Sequence, residues 1–79
     1  MTKTEIRQRI SANIRAERAR SGLTSEQVAS SIGVARETYN RYETEASMSV
    51  DTLVLIARTL KCPIDNFYMG IDFTKCEEK

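Results

Sequence analysis

Seventy-nine residues suffice for one domain with a single small core, and leave no room for a separate effector-sensing unit. With 41% hydrophobic residues, one proline and three glycines, the chain is neither disordered nor collagen-like. The lack of histidine removes most zinc sites and the commonest general base, and the formal charge of +1 is near neutral.

The first helix is predicted from about Thr4 to Ser21, with Ile6, Ile10 and Ile14 recurring every four residues and Gly22 as its stop. Arg7, Arg9, Arg15, Arg18 and Arg20 line its polar sides. A second helix opens at Thr24–Ser25–Glu26–Gln27, where threonine followed three residues later by glutamine makes a capping box. It ends near Ile32, at a tight turn through Gly33 and Val34. A third helix starts at Ala35 or Arg36 and buries Tyr39 and Tyr42, with the Tyr39 hydroxyl expected at the surface. Thr44 to Met48 has no periodicity and reads as a loop. Ser49 caps a fourth helix whose stripe is Val50, Leu53, Ile56, Ala57 and Leu60. Val54 and Leu55 widen its apolar face beyond what one side of a small core needs. Pro63 starts a short fifth helix through Asn66, Phe67 and Tyr68, ending near Gly70. The expected organisation is all-α: one domain over residues 1–70 and a tail over 71–79.

Cys62 reads as core filler and Cys76 as a tail residue; there is no CxxC and no disulfide is expected. No apolar run approaches the roughly 18 residues of a membrane span. The amino-terminal MTKTEIRQRI is charged, unlike a signal peptide, so the expected location is the cytoplasm and no membrane partner is expected. No catalytic constellation, metal cluster or phosphate-cradling glycine loop is visible, so neither an enzyme nor a cofactor is expected.

Charge is distributed unevenly: residues 1–41 carry eight Lys/Arg against four Asp/Glu, and residues 42–79 carry four against seven. Two readings fit, a nucleic-acid-facing amino half or merely a solvated face on the first helix. Arg36, Glu37, Thr38, Asn40 and Arg41 form a set of donors and acceptors on the third helix, opposite its apolar residues. A short helix anchored on one face and polar on the other suits a DNA groove.

Five spaced pieces carry a resemblance. They are Ile14-Arg15-x-x-Arg18 before Gly22-Leu23-Thr24; Glu26-x-x-Ala29 before Ile32-Gly33-Val34; Arg36-x-Thr38 leading to Arg41-Tyr42-Glu43; Leu53-x-x-Ile56-Ala57-x-x-Leu60; and Ile64-Asp65-x-Phe67. In this order they resemble the lambda-repressor/Cro-like (XRE-type) helix-turn-helix family from about Ile14 to Tyr68. The resemblance implies a five-helix fold with helices 2 and 3 as the helix-turn-helix and helix 3 in the major groove of double-stranded DNA. It assigns base reading to Arg36, Glu37, Thr38 and Arg41. Arginine can bond guanine O6 and N7, glutamate can accept from cytosine N4, and threonine offers a hydroxyl and a methyl. Two alternatives stay open: Glu37 as a helix-dipole partner and Arg41 as a phosphate contact.

Backbone contacts are expected from Ser25, Gln27 and Asn40, with Gln27 also needed for the capping box. Arg18 and Glu43 match a family salt bridge that fixes helix 3 against helix 1. The family's usual glycine and proline after this helix are replaced by Glu45 and Met48, in a shorter and more acidic loop. The expected function is a small transcriptional regulator, a repressor or autoregulator, binding a two-fold operator as a homodimer through Leu55, Tyr68, Ile71 and Phe73. The rival is a protein-interaction module of the same fold, antitoxin-like or with a regulatory protein partner, that binds little DNA.

Overall fold

Thr2 starts the fold: its hydroxyl accepts from the Glu5 amide at 3.2 Å, and its own amide donates to Glu5 Oε1 at 2.8 Å. This reciprocal cap gives the orphan amides partners and sets the start of α1, Lys3–Ser21, one residue ahead of the expected Thr4. The computed structural model describes residues 1–74, so Cys76 and the end of the tail lie outside it. After α1 come α2, Ser25–Ile32; α3, Arg36–Glu45; α4, Val50–Leu60; and a 3-10 turn, Ile64–Tyr68. No strand occurs among the described residues.

Four α-helices therefore stand where five were expected. The fifth segment is only five residues long, between Pro63 and Met69, both in extended conformation. The Asn66 amide bonds the Pro63 carbonyl three residues back at 3.0 Å. A run this short closes into a 3-10 turn more readily than into the longer ring of an α-helix.

One boundary also moved, and one cap differs from expectation. α3 continues through Glu45, into the stretch read as loop. It stops because Ala46 adopts a left-handed conformation, φ 50°, and donates its amide to the Tyr42 carbonyl. Ser49 is the residue before α4, but its hydroxyl bonds the Asp51 carboxylate and makes no cap to the helix amides. Asp51 instead accepts from the Thr52 amide at 3.0 Å.

The core joins Ile14 of α1, Val28 and Ala29 of α2, Tyr39 of α3, and Leu53, Ile56, Ala57 and Leu60 of α4 with Phe67 of the 3-10 turn. Burying each large aliphatic or aromatic member stabilises the fold by about 1.5–3 kcal/mol. Val50 is not in this stripe and is 77% exposed. It stands at the first position of α4, where the Leu53–Leu60 face has not yet met its neighbours. Tyr39 departs from expectation in another way: ring and hydroxyl are both buried, and the hydroxyl has no hydrogen-bond partner among the described residues. Burial, and then the nearby Glu43 carboxylate, push its phenol far above the ordinary range.

Cys62 is a free thiol packed against the core. Burial raises its pKa, with Glu17 adding to the effect. Among the described residues no helix is long and apolar enough to cross a membrane.

Candidate nucleic-acid interface

The link between α2 and α3 is built from backbone hydrogen bonds. Gly33, at φ 81°, places its own amide 2.9 Å from the Ala29 carbonyl, and the Val34 amide reaches the same carbonyl at 3.0 Å. That pattern ends α2 without a loop, and glycine is suited to it because a side chain strains this φ. Val34 then packs on the core and sends the chain directly into α3. At the other end of α2, the Thr24 hydroxyl accepts from the Gln27 amide at 3.1 Å, and the Thr24 amide donates to Gln27 Oε1 at 2.8 Å. Gln27 Oε1 is thus committed to the capping box. Ser25 stands beside it, half-buried.

α3 divides cleanly into two faces. Tyr39 and Glu43 are buried and Tyr42 is half-buried, at spacings of three and four residues. Arg36, Glu37, Asn40, Arg41 and Thr44 are exposed along the opposite side, and Thr38 is half-buried at its edge. Ala35 makes no side-chain cap to the amides at the start of α3. The first turn therefore presents backbone donors together with the side chains of Arg36 and Glu37.

The buried face of α3 is held by α1. Arg18 Nε lies 2.5 Å from Glu43 Oε2, its Nη2 lies 3.2 Å from Oε1, and its Nη1 donates to the Leu23 carbonyl at 3.1 Å. The bond to Glu43 raises the already high pKa of Arg18 further. Arg15 donates to the Glu43 carbonyl, and the Ser11 hydroxyl donates to the Tyr42 carbonyl at 3.3 Å. α3 has no basic residue in its own last turn. Arg15 thus occupies a carbonyl in the last turn of α3, and both arginines set positive charge beside the negative end of its dipole.

The helix-turn-helix family model matches residues 14–67, about two-thirds of the chain, from Ile14 on α1 to Phe67 in the 3-10 turn. The chain belongs to the XRE-type, Cro/C1-like helix-turn-helix family. No curated protein matches it. Helix-turn-helix proteins of this type are DNA-binding regulators, and the turn through Gly33 with α2 and α3 on either side is the part of this chain that carries the family's name.

Within this helix-turn-helix domain, the structure brings Arg18 and Glu43 together and sets Arg36, Glu37, Asn40 and Arg41 on one exposed face. Leu55 and Phe73 are exposed, whereas Tyr68 and Ile71 are half-buried, Tyr68 with its ring edge-on to Phe73 at 6.4 Å. Sequence reasoning missed a second set of polar ties. Asn13 donates to the Phe67 and Met69 carbonyls at 2.8 and 2.9 Å, and buried Glu17 accepts from Arg20 and from Asn66. Their spacing carried a signal: Ser11 and Glu17 stand three residues either side of Ile14, on the face that must be buried.

Proposed function

We propose that the chain is a small sequence-specific transcriptional regulator, a repressor or autoregulator, that binds a two-fold operator as a homodimer with α3 in the major groove. The observation that carries this reading is the division of α3 into a buried, braced face and an exposed face bearing Arg36, Glu37, Asn40 and Arg41. Arg36, Glu37, Thr38 and Arg41 read base edges, Arg36 by paired bonds to guanine. Ser25, Gln27 and Asn40 hold the sugar-phosphate backbone, Gln27 from within its capping box. The Arg18–Glu43 pair keeps α3 at a fixed angle to the rest of the domain, so that contacts made by its side chains share one register.

One short helix reads few base pairs, and pairing two protomers sets their reading helices about 34 Å apart, one turn of duplex. Leu55, 41% exposed, and Phe73, 76% exposed, supply apolar area for that pairing, with Tyr68 and Ile71 at its margin. Occupancy alone suffices to block a promoter, which favours repression. The working location is the cytoplasm.

Selection of binding sites from random duplexes tests the reading. The expected result is a palindromic consensus with half-sites one helical turn apart, bound with an affinity that falls steeply as salt rises. Arg36→Ala should cost about 1–3 kcal/mol and relax one consensus position. A folded protein that enriches no sequence would refute this proposal and leave the protein-interaction module.

A further inference from the structure

The family match starts at residue 14, yet α1 starts at Lys3, so roughly three turns of helix precede it. These turns are not symmetrical about the axis. The row of α1 that faces α3 runs through Arg18, Arg15 and Ser11, each bonded to Glu43 or to the Tyr42 carbonyl. Continued toward the amino terminus at three- and four-residue steps, the same row reaches Gln8, Arg7, Thr4 and Lys3. Thr4, Arg7 and Gln8 line a shallow concavity of about 300 Å³ together with Thr44 and Glu45 of α3. The other row faces the 3-10 turn: Asn13 bonds the Phe67 and Met69 carbonyls, and the Arg9 side chain lies against Gly70.

Arg7 and Arg9 are therefore placed very differently, although two residues apart. Arg9 packs on the carboxyl-terminal segment. Arg7 is exposed beside the end of α3, and its side chain makes no hydrogen bond or ion pair with any described residue. Thr44 lies one turn past Asn40 and Arg41 on the exposed face of α3, so the concavity continues that face. It stands about 12 Å along the helix from Arg36, at 1.5 Å per residue. A cation there is too far along α3 to share the bases read by its first turn, but it is suited to the backbone beside them. The segment from Thr44 to Ser49 offers no cation of its own, only Glu45.

We propose that the added turns of α1 form a second DNA contact, in which Arg7, with Lys3 one turn behind it, holds phosphates flanking the stretch under α3. The inference rests on the reading of α3 as the DNA-reading helix. It extends the footprint on the duplex without adding base specificity, because a guanidinium on a phosphate carries no sequence information.

The test compares Arg7→Ala, Arg7→Lys and Arg9→Ala with the parent on the duplex that selection returns. Binding is measured from 0.05 to 0.5 M salt, and urea midpoints are recorded for each protein. Losing one phosphate contact lowers the log–log salt slope by about 0.9 and weakens binding about eightfold at 0.1 M salt, so a dimer that loses one on each protomer should lose about 1.8 in slope and about 60-fold in affinity. Arg7→Ala should show that loss with an unchanged consensus and an unchanged midpoint, Arg7→Lys should restore most of the slope, and Arg9→Ala should keep it. An Arg7→Ala protein with the parent's slope and affinity would overturn the inference while leaving the α3 reading intact. A service to the end of α3 alone would lower the midpoint and leave the slope, and would also overturn it. Failure of the parent to select any duplex would refute the α3 reading, and this contact with it.

Discussion

Arg18→Ala probes the joint on which the position of α3 depends. The Glu43 side chain is only 7% exposed, and both its carboxylate oxygens are bonded to Arg18, whose own side chain is 23% exposed. Removing the arginine strands a buried carboxylate and also frees the Leu23 carbonyl. Breaking a buried pair costs about 3–5 kcal/mol; water reaching the partly exposed Arg18 site reduces that to about 2–3 kcal/mol. At 4–8 °C per kcal/mol for a domain of this size, the thermal midpoint should fall by about 10–20 °C. Replacing both partners, Arg18→Met with Glu43→Leu, removes the stranded charge and should return to within about 1 kcal/mol of the parent.

The assay is urea unfolding followed by circular dichroism, read as a double-substitution comparison. A single Arg18→Ala variant with the parent's midpoint would refute the reasoning. So would a double variant as unstable as the single one, since packing rather than charge would then hold the joint. Affinity for the selected duplex should fall in Arg18→Ala and recover in the double variant, because Arg18 acts through α3.

Two further outcomes follow from the backbone and from the start of α4. Ala46 holds φ 50° at the end of α3, so Ala46→Gly should stabilise the fold by about 1 kcal/mol, seen as a higher urea midpoint; a lower midpoint would show that the left-handed conformation carries no strain. Asp51 is held below its ordinary pKa, first by the Ser49 hydroxyl and then by the Thr52 amide. Its contribution is full above the unfolded value and is lost as pH falls through the folded one, so Ser49→Ala should move its carboxylate titration, followed by NMR, upward. A titration unchanged by Ser49→Ala would remove the hydroxyl as the cause.

Much of the arrangement around α2 and α3 was legible because it rests on local signals. The Thr24–Gln27 box, the glycine stops at Gly22 and Gly33, and the four-residue recurrence of the isoleucines in α1 each follow from residues within a few positions of one another. The segment after Pro63 was misread because the proline is a helix-start signal, while the five residues that follow are too few to sustain an α-helix, and a 3-10 turn results. The end of α3 was misread because its left-handed residue is Ala46, with no glycine to announce it. The Tyr39 hydroxyl was expected in solvent because tyrosine usually keeps its polar tip wet; here α1 and Glu43 close over it.

Hydrophobic period, caps and turn residues determined by themselves that this chain folds as short helices with a tight turn between the second and third. They did so because each acts through hydrogen bonds and spacings along a single stretch of chain. Tertiary structure alone decided what the buried polar side chains touch. Ser11, Arg15 and Arg18 on the end of α3, and Asn13 and Glu17 on the 3-10 turn, make their contacts across 25 to 56 positions of sequence. A pairing at that range is set by the packing of whole helices, and no local pattern encodes it.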